Sequence, residues 1–235
     1  MSNQRQIILA IETSGNEGDL AVCTADGKIT EAKIGIDGRR HAQTLVSEAD
    51  RLLNTAGLRP AEIDLVAVSN GPGSFTGLRV GTVFAKTMAW ANQAKLVDVD
   101  TLQAVACGAS PSASVVTSIS DAQRSEVFIN RYSKPNEHGI RTALDELSIL
   151  PVSELAEQFT AEKHGVLIGP ALSKFADQLH DCPMAATAHW LPAARWVLEI
   201  GRQLAIQKRY ADVASLEPVY VRRSYAEENA DSKIS

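Results

Sequence analysis

Cysteine is scarce in this 235-residue chain. Cys23, Cys107 and Cys182 are odd in number, far apart and never spaced as CxxC. That excludes a disulfide scaffold and suits a reducing cytoplasm. Long apolar runs are missing too, since none approaches the roughly 18 residues a membrane helix needs. The five apolar residues Ile7 to Ile11 read as a buried strand, because a signal peptide needs a longer apolar core and a small-residue cleavage site. Basic charge is in deficit: 23 Lys plus Arg stand against 28 Asp plus Glu, a formal net charge of −5. A protein that holds nucleic acid alone usually presents a basic face to phosphates. Here only the pairs Arg39-Arg40, Lys208-Arg209 and Arg222-Arg223 occur, and each reads as solvated surface. Service to RNA would therefore lean on a partner. Metal ligands in pairs are absent as well. His41, His138, His164, His180 and His189 form no HxxxH or HExxH, and the position four after His41 is Leu45. No Gly-x-Ser-x-Gly elbow is present for a hydrolase.

What is present is ordinary for a packed globular protein: 45% hydrophobic and 22% charged residues, in a length that allows one large domain or two small ones. The pattern predicts strands at Ile7–Glu12, Asp19–Thr24 and Ile29–Ile34, with Asp26-Gly27 as a hairpin signal. Leu45, Val46, Ala49, Leu52, Leu53 and Ala56 recur at helical spacing up to Gly57. A strand at Leu65–Ser69, a glycine-rich turn Gly71–Gly77, a helix to about Asn92 and a strand at Lys95–Val99 follow. Thr101 then caps a helix through Cys107. This order resembles a ribonuclease-H-like unit. A small, polar stretch near Ser110-Pro111-Ser112 marks a boundary, and a shorter second unit follows. It opens with strands at Val115–Ile119 and Glu126–Tyr132, separated by Asp121 to Arg124. Later segments are Ser148–Pro151, Glu154–Phe159, Gly165–Gly169 and Leu172–His180, and a last helix runs from Ala193 to about Lys208. The expected division is a first lobe at 1–108, joined by the C-terminal segment 190–235, and a second at 109–189.

Three features could carry chemistry. Asn70-Gly71-Pro72-Gly73-Ser74-Phe75-Thr76-Gly77-Leu78-Arg79-Val80-Gly81 joins a strand to a helix. Its glycines permit close backbone approach, and the helix start offers free N–H groups and a positive dipole end. It is neither a Walker A loop nor a Rossmann fingerprint, so a tight turn and an anion site both stand. Glu12-Thr13 sits where the first strand meets its turn, in a position similar to that at which actin- and hexokinase-like folds place an acid near metal and phosphate, and Asp121 follows the opening strand of the second half; turn chemistry is the plainer use of both. Finally, the helix after the glycine turn carries only Arg79 and Lys86 as charges. Its apolar residues surround most of the circumference, so it is either central to its domain or covered by another protein.

Ile8 to Ser14, His41-Ala42-Gln43, Gly71 to Gly81, Asp121-Ala122 with Glu126-Val127, and Glu217 to Arg222 occur in an order that resembles the bacterial TsaB (YeaZ) family over essentially the whole length. The resemblance implies an α/β fold of two ribonuclease-H-like lobes in the actin- and hexokinase-like (ASKHA) superfamily. It further implies a part in making threonylcarbamoyladenosine in tRNA. In that family the catalytic subunit is a TsaD-like paralogue carrying the HxxxH metal pair. A TsaB-like chain lacks those ligands and pairs with TsaD, or with itself as a homodimer, through its first two helices. A TsaE-like ATPase is the other implied partner, and tRNA is met only through the complex. The implied contact residues are Leu45, Ala49, Leu52, Phe75, Val80, Val83, Phe84 and Met88. Residues for a nucleotide or phosphate loop would be Glu12, Thr13, Gly71, Gly73, Ser74, Thr76, Gly77, Arg79 and Asp121. No metal and no cofactor of its own is expected, with ATP or ADP at a partner interface. The chain departs from the family in Glu12 for Asp and Gln123 for Arg. A small phosphotransferase using Mg-ATP at Glu12, Asp121 and Gly71–Gly77 remains the other reading, with a peptidase behind it.

Overall fold

A computed structural model of the protein describes residues 6–35 and 41–219. The pairs Arg39-Arg40 and Arg222-Arg223, and the Tyr220 to Arg222 end of the family match, lie outside the described residues.

Two sheets divide the strands. The first has the order β3-β2-β1-β4-β5, from β1 (Ile8–Glu12), β2 (Gly18–Cys23), β3 (Ile29–Ile34), β4 (Leu65–Ser69) and β5 (Lys95–Val99). β1 pairs antiparallel with β2 and parallel with β4, and β4 runs parallel to β5. Strands covered on both faces need apolar residues at every position, and β1 and β4 are buried throughout. The edge strand β3 instead alternates, with Ala32 and Ile34 inward and Glu31 and Lys33 outward. One face of this sheet is covered by α1 (His41–Thr55) and α2 (Phe75–Asn92), whose Leu45, Ala49, Leu52, Ala85 and Ala89 join Leu9, Ile11 and Val66 in a core. The other face is covered by α3 (Thr101–Cys107) and α7 (Ala194–Ile206). α7 lies close enough to β4 that a Cβ on Gly201 would stand 2.6 Å from that of Ala67.

The second sheet has the order β8-β7-β6-β9, from β6 (Val116–Gln123), β7 (Glu126–Tyr132), β8 (Ser148–Pro151) and β9 (Val166–Ile168). Three short helices accompany it: α4 (Val152–Gln158), α5 (Ala161–His164) and α6 (Leu172–Phe175). α4 and α6 pack on one face. The other face packs on α3 through Leu102, Val105 and Ala106. α3 is therefore shared, with Ala104 and Cys107 turned to the first sheet and Leu102 and Val105 to the second.

Polar groups reinforce this junction. Tyr132 Oη donates to Asp100 at 2.7 Å. Arg141, fully buried, donates to the carbonyls of Ser110, Ala113 and Ser133 at 2.7–2.9 Å. Burial draws its pKa down, and burial likewise lifts the Cys107 thiol beside it to about 11. The three cysteines are free and buried.

Two local readings need correction. The cap of α3 is Asp100, whose carboxylate accepts from Leu102 N at 2.8 Å. Thr101 instead is the first helical residue, and its hydroxyl accepts from Gly71 N. Asp121, Ala122 and Gln123 do not separate the second pair of strands. They continue β6, with a register shift, and the turn is tightened by left-handed Gln123, Arg124 and Ser125. Among the described residues, no helix is long and apolar enough to cross a membrane.

Candidate functional site

The glycine-rich turn joins β4 to α2, and Ser74 caps the helix by accepting from Gly77 N. The turn is already occupied by the chain itself. Ser74 N donates to Ser14 O at 2.7 Å, and Thr13 Oγ1 donates to Gly77 O at 2.8 Å. A Cβ on Gly73 would stand 2.7 Å from Ser14 O, one on Gly77 2.0 Å from Thr13 O, and one on Gly81 2.1 Å from Thr13 Oγ1. These three glycines thus admit the β1–β2 turn. Gly71 has a left-handed φ of 116° and faces Val219, while its carbonyl accepts from Thr101 N. Two donors that a phosphate would use, Ser74 N and Gly77 N, have partners within the chain. The main-chain donors of Ser74 and Gly77, and the space beside Gly73 and Gly77, are thus taken by the chain itself. Thr76 and Arg79 are exposed on the first turns of α2, the Arg79 guanidinium lying 3.9 Å over the Phe75 ring.

Glu12 lies beneath this turn. It is fully buried, and one carboxyl oxygen accepts from Ser14 N at 2.6 Å while the other has no hydrogen-bond partner. Burial raises its pKa, opposed by the bonds from Ser14 and reinforced by Asp19. Asp19, opposite it on β2, accepts from Ala194 N at 3.1 Å and pairs with Lys33 at 3.2 Å. Burial raises Asp19 as well, against the pull of Lys33. Asp121 is not brought to this place. It accepts from Gln123 N and pairs with Lys174 at 2.9 Å, inside the second lobe. Among the described residues, no group of three or more His, Cys, Asp or Glu could hold a metal ion.

The outward faces of α1 and α2 are different in kind. The two helices lie side by side on the first sheet. Val46 on α1 is 66% exposed, and on α2 Val83 is 64% and Trp90 78% exposed, with Phe75 at the margin. Three residues expected at a contact face do not reach it: Leu45, Ala49 and Leu52 point into the chain's own core. The reason is spacing, since their recurrence defines the stripe that binds the sheet. Val80, Phe84 and Met88 are half-buried against that same core. Val83 and Phe75 stay outside. Trp90 and Val46 complete the exposed set, and their signal was being apolar off the core stripe. The other charge on α2 is committed, because Lys86 donates to Ala214 O and Leu216 O, at 2.9 and 3.0 Å, in the segment after α7. That segment is fixed further by Ala211 N to Leu96 O and Val219 N to Asn70 O.

Comparison with known proteins adds the following. The family described as "TsaD: tRNA N6-adenosine threonylcarbamoyltransferase" matches residues 35–191, well over half of the chain. The tRNA threonylcarbamoyladenosine biosynthesis protein TsaB of Escherichia coli (strain K12) is 29% identical, over 93% of this chain and 96% of that protein. Its namesake in Bacillus subtilis (strain 168) is 28% identical, over 94% and 96%. A crystal structure from Pseudomonas aeruginosa, described as an uncharacterized protein with similarity to peptidase YEAZ, superposes with a TM-score of 0.80 at 25% identity. The match covers 92% of this chain and all of that one.

Proposed function

The chain belongs to the TsaD family, in its TsaB (YeaZ) branch with the actin-like fold, and on that premise we propose that it is a non-catalytic subunit of the machinery that makes threonylcarbamoyladenosine in tRNA. It binds a TsaD-like transferase and holds it in its active form, with a TsaE-like ATPase as the further partner and tRNA met through the assembly. The observation that carries this is the outward apolar face of α1 and α2. A monomer in water gains nothing from exposing Val46, Val83 and Trp90 together, whereas a second protein surface buries them. In the absence of the transferase the same face closes a homodimer. Leu45 supports the non-catalytic role, because the position where a second imidazole would complete an HxxxH pair is occupied by a buried apolar side chain. The filled glycine turn speaks against an independent phosphotransferase. ATP or ADP used by the assembly belongs at the boundary with a partner.

Two measurements test this. Depleting the protein from its cell and weighing the nucleosides of bulk tRNA should show loss of threonylcarbamoyladenosine with other modifications intact, and unchanged levels would sink the role. Val83→Glu with Trp90→Glu should abolish co-purification with the transferase, since each places an unpaired charge in an apolar seam at about 2 kcal/mol or more. Normal assembly of that variant would remove the proposed face.

A further inference from the structure

We propose that Thr13 and Glu12 are positioning residues for α2: the β1–β2 turn is a wedge of fixed height on which the partner-facing helix rests. The proposal deepens the pairing reading above and depends on it only for its functional readout. The contacts form a chain. Glu12 Oε1 takes the N–H of Ser14, which fixes the turn from below; Ser14 O takes the N–H of Ser74; and Thr13 Oγ1 gives its proton to Gly77 O. Gly77 and Gly81 are four residues apart and so share one face of α2. At about 100° per residue, Val83 and Trp90 fall on the opposite face. Whatever lifts the glycine face off the turn therefore displaces the exposed face by the same amount, and the fit to a partner changes although no contact residue has been altered. The two glycines meet different atoms of Thr13. A Cβ at 77 would meet the main-chain oxygen, while one at 81 would meet the side-chain hydroxyl, with the Thr13 Cβ at an ordinary 3.4 Å.

That difference supplies the test, made on the full chain. Gly81→Ala should weaken transferase binding about tenfold and speed hydrogen exchange in the first half of α2, and adding Thr13→Ala should restore part of both, a coupling of the size seen between touching residues, the remainder being the loss of the Thr13 Oγ1 bond to Gly77 O. Gly77→Ala should not be rescued by Thr13→Ala, because the main-chain oxygen remains. Glu12→Ala should loosen the same amides, while Glu12→Gln, which still offers Ser14 N an acceptor, should not. Leu172→Ala, in the core of the second lobe, serves as a control that lowers stability without touching α2; affinity of its folded fraction should be unchanged. The proposal is overturned if the Gly81→Ala/Thr13→Ala double variant is no better than Gly81→Ala, if Gly77→Ala is rescued equally, or if Leu172→Ala loses affinity in step with stability. Should exchange follow the expected pattern while even the unaltered protein ignores the transferase, the wedge stands and the pairing reading falls.

Discussion

Each sheet opens with a hairpin whose first strand also pairs in parallel with a later one: β1 with β2 and β4, β6 with β7 and β9. Near the end of that first strand both lobes place an acid, and both acids do the same local thing. Glu12 accepts from Ser14 N and Asp121 from Gln123 N, each two residues ahead. Beyond that bond they part. The first turn is pressed under α2 and Glu12 sees no water, whereas Gln123, Arg124 and Ser125 are exposed and Asp121 pairs with the half-exposed Lys174. An acid near the end of the opening strand is thus a turn former in both lobes, and its electrostatics follow from what packs over the turn.

Forcing the two turns apart or together gives graded outcomes. The largest effect is expected from Gly77→Ala, whose Cβ would sit 2.0 Å from the Thr13 carbonyl oxygen. Overpacking against rigid backbone should cost about 3 kcal/mol in denaturant unfolding; a change below about 1 kcal/mol would mean the first turn is as loose as the second. Next comes Glu12→Gln. Folding holds the proton on Glu12 above its usual value of 4.5. Below that pH both states keep the proton and burial adds no ionisation penalty. As pH rises past 4.5 the unfolded chain releases it and the folded one does not, so stability falls until the folded pKa is passed. Glu12→Gln should therefore match the parent near pH 4 and exceed it increasingly towards neutrality, with thermal melts across the range as the check. A constant difference at every pH would show that folding leaves the Glu12 pKa where it is in the unfolded chain. The smallest effect belongs to Asp121→Asn, which loses a partly exposed ion pair and should change stability by less than about 0.5 kcal/mol.

Much of this was legible in the residues. Period and punctuation located β3, β4, β5 and β7 to the residue, because each run has Gly, Asp or Ser beside at least one end and one apolar pattern. The helices α1 and α2 were legible as helices but not in their orientation. Leu45, Ala49 and Leu52 mark the stripe facing the sheet, and only the fold shows that the outward apolar residues are what remains, Val46, Val83 and Trp90. The glycine turn was visible, yet phosphate and polypeptide make the same demand on glycine: room beside the backbone. Which of them takes that room is decided by Thr13 and Ser14, some sixty residues earlier in the chain. Arg141 gave no signal at all, since a lone arginine in a polar stretch reads as surface until its three carbonyl partners come together.

α3 and Arg141 also set how the molecule comes apart. A seven-residue helix whose opposite sides complete two separate cores leaves each core open when the other is lost, and the guanidinium that ties Ser110, Ala113 and Ser133 would be stranded without a counter-charge. Melting should accordingly be one cooperative event, and a gene cut after codon 108 should yield two fragments that fold only on each other.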